Sequence, residues 1–141
     1  MAMAAVKLIC DTGPLIAFFN RADQHHAWAR EQFDRITQPL ITCEAVISEA
    51  LFLLQDDGLA SEPVFEALQR GKLLVDFSAR EHWPDLRHLT RKYANLPMSL
   101  ADACLVRMAE LIPDSQVLTA DRHFRIYRRH GRQLIPLLSP F

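Results

Sequence analysis

The sequence predicts an α/β fold with a mainly parallel central sheet. Short apolar runs typical of buried strands alternate with longer segments whose apolar residues recur at helical spacing. At the start of the chain, a strand over residues 6–10 ends at Asp11, and Thr12-Gly13-Pro14 then begins a helix. Strands that alternate with helices form βαβ units, in which the strands run parallel and the crossovers are right-handed.

The later elements follow from apolar periodicity and from residues that begin or end helices. Asp23 and Ser99 are suitable N-caps, and Gly71 suits the end of a helix. The predicted helices are 23–36, 44–55, 64–70, 81–93, the segment SLADACLVRMAEL that begins at Ser99, and 121–129. The predicted strands after the first are 40–42, 73–75, 116–119 and 134–138.

Length and composition indicate one domain over residues 1–141. This length is that of an ordinary single domain, and the net charge of −1 gives no sign of a nucleic-acid partner. The three cysteines are odd in number, which predicts reduced thiols in the cytoplasm, and their lack of a C-x-x-C spacing argues against a zinc site. We find no signal peptide and no apolar run of the ~20 residues that a membrane span needs.

Four acidic residues are candidates for an active site. Asp11 and Asp121 follow predicted strands, Asp102 lies in the first turn of a helix, and Glu49 flanks the apolar stripe of helix 44–55. Ligand sites of open α/β sheets lie at the carboxyl ends of the strands, so we expect these carboxylates to gather there. Clustered carboxylates repel one another unless a cation lies between them, and Mg²⁺ prefers oxygen ligands. Two such ions can activate water against a phosphodiester.

Each acid also has a simpler structural interpretation. Asp102 stands three residues after Ser99 in a capping box, Asp121 can cap the helix that follows it, and Glu49 can be a solvated surface residue. Asp11 is the hardest to explain this way, because an apolar strand precedes it and an apolar cluster follows it. Together the four acids are a stronger signal than any one of them.

Four ordered segments, DTGPLIAFF, ISEALFLL, SLADACLV and VLTADRHF, resemble the PIN-domain family, and within it the VapC-type toxins of toxin–antitoxin pairs. The resemblance implies a three-layer α/β/α PIN-like domain and a Mg²⁺- or Mn²⁺-dependent endoribonuclease. It assigns metal binding and catalysis to Asp11, Glu49, Asp102 and Asp121, with Thr12, Ser99 and Thr119 in support. Glu44 stays open as an alternative to Glu49, because a register error of five residues would exchange them.

The resemblance also implies partners, namely an RNA substrate, an antitoxin protein and a second copy of the chain. Candidate interface residues are large and apolar, although all of them can equally belong to the core: Trp28, Phe33, Phe52, Phe65 and Leu68. Arg122, Arg125 and Arg129 would share one face of the predicted helix 121–129 and suit RNA phosphates. Their structural alternative is a solvated helix whose cations lie near its negative end.

Two other functions deserve comparison. Asp11-Thr12-Gly13 is also the tripeptide of aspartic proteases, in which two chains can share an aspartate dyad. Those domains are all-β and rich in glycine hairpins, whereas this chain has four glycines and several helical stripes. The second alternative is a PIN domain that binds RNA or a protein without catalysis, against which the four intact acids argue.

Overall fold

The computed structural model describes residues 6–141. Within this range the strands are β1 (Lys7–Cys10), β2 (Leu40–Thr42), β3 (Leu73–Val75), β4 (Ser115–Leu118), β5 (Arg128–Arg129), β6 (Gln133–Leu134) and β7 (Leu137–Leu138). The α-helices are α1 (Thr12–Phe19), α2 (His26–Arg35), α3 (Glu44–Asp56), α4 (Glu62–Gln69), α5 (Trp83–Lys92) and α6 (Leu100–Leu111). Two short 3₁₀ turns cover Ala79–His82 and Arg122–Arg125.

The central sheet is parallel, with strand order β3-β2-β1-β4-β7, and it confirms the predicted fold class. From β1 the chain builds outward through β2 and β3, and it then returns to place β4 on the other side of β1. This reversal makes the β1/β4 boundary the topological switch point, where a crevice opens beyond the strand ends. A separate antiparallel ribbon pairs β5 with β6.

Helices cover both faces of the sheet, in the three-layer α/β/α arrangement. Along β1, Leu8, Ile9 and Cys10 point alternately to the two faces, and all three are buried. Parallel sheets require this double cover, because both faces of such a sheet are apolar. Helix α6 is buried along most of its length, including Cys104 and Leu105. No helix of residues 6–141 has both the length and the apolar character that crossing a bilayer requires.

The predicted helix 121–129 is wrong. Asp121 caps only the 3₁₀ turn Arg122–Arg125, after which the chain turns into β5. The turn after β5 uses His130 and Gly131, both with positive φ, to pair β5 with β6. The fully buried side chains of Phe124 and Tyr127 pack edge to face with ring centroids 5.1 Å apart. Burying both rings while forming the ribbon is incompatible with a continuous exposed helix.

Three other predicted boundaries also differ. Helix 23–36 begins at His26, because the Asp23 carboxylate and carbonyl accept hydrogen bonds within a preceding turn. Helix 81–93 is divided into a 3₁₀ turn and α5, which has a proline in its first turn. The predicted strand 134–138 is two strands, since Pro136 has no N–H and separates β6 from β7.

Candidate active site

Asp11 lies at the switch point, directly after β1. It is the N-cap of α1, where its Oδ1 accepts a 2.7 Å hydrogen bond from the backbone N–H of Thr12. Its Oδ2 accepts a second hydrogen bond, also 2.7 Å, from the Thr119 hydroxyl. Only 6% of Asp11 is exposed, so both carboxylate oxygens are oriented in a nearly buried setting.

Thr119 connects the ends of β1 and β4. Besides donating to Asp11, its hydroxyl oxygen accepts a 2.9 Å hydrogen bond from the backbone N–H of Asp121. The Asp121 carboxylate in turn accepts from the N–H of His123 and so caps the 3₁₀ turn, as its structural interpretation predicted. One buried threonine therefore sets the positions of two of the four acids.

Asp102 reaches the same region from α6. Ser99 caps this helix, and its hydroxyl oxygen accepts a 3.0 Å hydrogen bond from the N–H of Asp102, as the capping box predicted. The Asp102 carboxylate accepts a 2.8 Å hydrogen bond from the Tyr127 hydroxyl. The sequence analysis missed Tyr127. The sequence offers one signal for it: Tyr127 and Phe124 are aromatic residues within a segment that is otherwise rich in arginine.

Glu49 and Glu44 are both solvent-exposed on α3, but their surroundings differ. The pKa of Glu49 is raised by partial burial and by the charges of Asp102 and Asp121. Glu44 is the first residue of α3 and is not among the charges that perturb Asp11 or Asp102. Electrostatic coupling to Asp102 and Asp121 thus associates Glu49 with the other acids.

The acids perturb one another electrostatically. Burial raises the pKa of Asp11 from 3.8 to about 7, with further increases from Asp102 and Asp121 and a decrease from the Thr119 hydrogen bond. The pKa of Asp102 is also raised, first by burial and then by Asp121, while the Tyr127 hydrogen bond opposes this. Burial and the hydrogen bond to Asp102 raise the pKa of the Tyr127 hydroxyl, so Tyr127 stays a proton donor. Such mutual repulsion favours a bound cation.

The surrounding residues fit a hard cation. Within residues 6–141, no Lys or Arg forms an ion pair with any of the four acids, and His123 lies 3.6 Å from Asp121. The buried Thr12 hydroxyl forms no hydrogen bond within that range. Within residues 6–141, no three acid, His or Cys side chains lie together in a group that could hold a metal ion. Mg²⁺ suits such an open set, because it keeps several waters and takes few carboxylates.

The three candidate RNA-binding arginines do not share a face. The guanidinium of Arg129 donates hydrogen bonds to the carbonyls of Ala109 and Pro113 at the end of α6, so it has a structural role. Arg122 and Arg125 remain exposed and lie over the ring of Phe141. The expected row of three arginines is thus reduced to two.

The predicted apolar surface is likewise only partly exposed. Trp28, Phe33 and Leu68 pack against the core, whereas 67% of Phe52 and 46% of Phe65 are exposed. A groove of about 590 Å³ runs between α1, α2 and α4, and none of the four acids lines it. The four candidate acids and the apolar groove are therefore separate sites of the molecule.

The parallel sheet between two layers of helices, with carboxylates at its switch point, indicates the class to which this domain belongs. Residues 8–129 match the PIN domain family, and the chain belongs to that family. The chain is similar to Ribonuclease VapC26 of Mycobacterium tuberculosis, with 31% identity over 128 residues that cover 88% of this chain and 94% of the relative. The aspartic-protease alternative is wrong, because that class is all-β.

Proposed function

We propose that this chain is a divalent-metal-dependent endoribonuclease that hydrolyses RNA phosphodiester bonds, and that it is the toxin of a toxin–antitoxin pair. The observation that carries the proposal is the group of acids at the switch point, where Thr119 hydrogen bonds to Asp11 and Asp121 and no Lys or Arg of residues 6–141 pairs with an acid of the group. Membership of the PIN family and similarity to a protein named as a ribonuclease support it.

In this proposal Asp11, Glu49, Asp102 and Asp121 hold Mg²⁺ or Mn²⁺. When bound, the ion activates water and offsets charge on the scissile phosphate. The residues of the chain supply orientation: Thr119 and Thr12 N–H hold the Asp11 oxygens, and Tyr127 holds an oxygen of Asp102. Ser99 acts indirectly, because it fixes the first turn of α6 and hence the backbone of Asp102.

The decisive experiment compares cleavage of a single-stranded RNA by wild type, Asp11→Asn and Asp34→Asn. Asp11→Asn keeps the size of the side chain and removes its charge, so it should retain the fold and lose metal-dependent cleavage. Asp34 is an exposed acid on α2, and its change should have no effect. Full cleavage by Asp11→Asn, or by wild type in excess EDTA, would show that the proposal is wrong. Retained RNA binding without cleavage by wild type would favour the non-catalytic PIN domain.

We further propose a cytoplasmic homodimer that an antitoxin protein binds, with residues 1–141 acting as one domain. Exposed Phe52 and Phe65 support an interface, since large apolar side chains at the surface favour burial against a partner. Buried free thiols at Cys10, Cys43 and Cys104 suit a reducing compartment. Sedimentation of wild type and Phe52→Ser/Phe65→Ser tests the dimer: we expect a wild-type dimer and a monomeric variant. A strict wild-type monomer at micromolar concentration would contradict it.

A further inference from the structure

Strand β7 brings a new aromatic side chain to the edge of the sheet that holds the acids. It pairs in parallel with β4, with Leu138 opposite Leu118. The backbone N–H of Thr119 donates a 3.1 Å hydrogen bond to the carbonyl of Leu138. The residues after Leu138 therefore leave the sheet beside Thr119, at the carboxyl ends of β1 and β4. Phe141 belongs to this segment.

The ring of Phe141 lies against Arg122 and Arg125. The first of these two arginines directly follows Asp121 in the chain. The guanidinium carbon of Arg122 is 4.9 Å from the centroid of the Phe141 ring, and that of Arg125 is 4.8 Å from it. The 3₁₀ turn explains this arrangement, because residues three apart in such a turn lie on the same side. We call Phe141, Arg122 and Arg125 the aromatic–arginine cluster.

The guanidinium groups of the cluster have hydrogen-bond donors without a partner in residues 6–141. Both arginines are exposed, and the ring of Phe141 is partly exposed. Among residues 6–141, neither guanidinium donates a hydrogen bond or forms an ion pair. Arg128 and Arg129 differ, since their guanidinium groups donate to backbone carbonyls. The two cluster arginines thus remain available for an external anion.

We propose that the aromatic–arginine cluster binds an unpaired nucleotide of the RNA next to the scissile phosphate. Aromatic rings and guanidinium planes stack on exposed bases, and arginine also donates paired hydrogen bonds to phosphate. A single strand crossing the acids at the switch point would pass directly from Asp121 to Arg122. The inference rests on the proposed function for its substrate, and it adds that the RNA is recognised there as a single strand.

The test measures RNA binding by fluorescence anisotropy. The buffer contains EDTA, so that the proposed metal-dependent cleavage does not occur. The probes are a labelled adenosine octamer and an abasic octamer with the same ribose-phosphate backbone. Wild type should bind the adenosine octamer roughly five- to a hundredfold more tightly than the abasic one. Phe141→Ala should remove most of this difference and leave abasic binding unchanged. Phe141→Trp should retain it, and Trp83→Ala, which removes an exposed aromatic ring of α5, should match wild type.

The arginines make a separate contribution. Arg122→Ala/Arg125→Ala should weaken binding of both octamers and reduce the slope of log K against log salt by about 1.4, since each lost phosphate contact removes about 0.7 for single strands. If Phe141→Ala binds the adenosine octamer as wild type does, or more tightly, the cluster is not a nucleotide site. That result would leave the cleavage comparison of wild type with Asp11→Asn unaffected, so the two proposals fail independently.

Discussion

The hydroxyl of Tyr127 donates a 2.8 Å hydrogen bond to Oδ2 of Asp102, from a side chain with no exposed surface. The bond joins α6 to the segment that follows β4. The two bonded residues are twenty-five positions apart in the chain. Tyr93 packs edge to face on the Tyr127 ring, with centroids 5.0 Å apart, and holds it in place. Tyr127 is therefore a positioning residue for an acid that we propose to bind metal.

Tyr127→Phe should weaken the affinity of the protein for Mn²⁺ about tenfold or more, because loss of a hydrogen bond to a metal-binding carboxylate frees its orientation. Titration with Mn²⁺ in the absence of RNA measures this directly. Tyr93→Phe is the matched control: Tyr93 is also buried, but its hydroxyl accepts a hydrogen bond from the Arg128 N–H and contacts no acid of the site. Equal Mn²⁺ affinity of wild type and Tyr127→Phe would contradict the positioning role.

Asp11 should make the metal-free protein less stable at alkaline pH. Its pKa rises from 3.8 to about 7 on folding, so the folded state binds more protons between these values. The stability contributed by this group is fully present below pH 4, and it is lost as pH rises to about 7. The difference corresponds to as much as ~4 kcal/mol of unfolding free energy.

Thermal unfolding in EDTA checks this pH dependence. Asp11→Asn should be more stable than wild type at pH 8 and similar to it at pH 4, because only the ionised form is penalised. Adding Mg²⁺ at pH 8 should raise the melting temperature of wild type and leave that of Asp11→Asn nearly unchanged. A wild-type protein that is more stable at pH 8 than at pH 5, with an Asp11→Asn variant that behaves identically, would refute the assignment to Asp11.

Thr119→Val should move the pH dependence of cleavage upward. The threonine hydrogen bond lowers the pKa of Asp11, so its removal at nearly constant volume should raise that pKa further. The variant should then need a higher pH for half-maximal cleavage, and it should lose about 1–3 kcal/mol of stability because the Asp121 N–H loses its acceptor. Thr119→Ser, which keeps the hydroxyl, should follow the wild-type profile. A Thr119→Val profile that coincides with it would count against this hydrogen bond.

Glu49→Gln should lower cleavage at saturating RNA by about tenfold or more, whereas Glu44→Gln should cleave like wild type. Glu49 is electrostatically coupled to the site, since partial burial and then the charges of Asp102 and Asp121 raise its pKa. Both substitutions remove one charge from an exposed position on α3, so they change the net charge alike. The reverse result would transfer the role to Glu44.

Local patterns were sufficient for strands β1 to β4 and for the elements that carry the acids. The strand before Asp11 and the buried stripe of α6 show their periodicity within a few residues, and helix caps such as Ser99 act on their own helix. The order of parallel strands then places Asp11 and Asp121 at one edge without further information. The preference for Glu49 over Glu44 came from the resemblance to the PIN-domain family.

Residues after Asp121 were different, because long-range contacts decide their structure. Strands β5, β6 and β7 have two residues each, too few for any periodicity, and β7 gains its place only by pairing with β4. Sequence spacing predicted that Arg129 and Arg125 share one helix face. In the structure the Arg129 guanidinium instead donates hydrogen bonds to the carbonyls of Ala109 and Pro113, which are sixteen or more residues away in the chain. The sequence by itself thus determined that Asp11 and Asp121 follow parallel strands, since chain direction decides at which edge of the sheet such strands end. The contacts of Tyr127 with Asp102 and of Phe141 with the two arginines were decided only by tertiary packing, which brings together side chains that no local pattern relates.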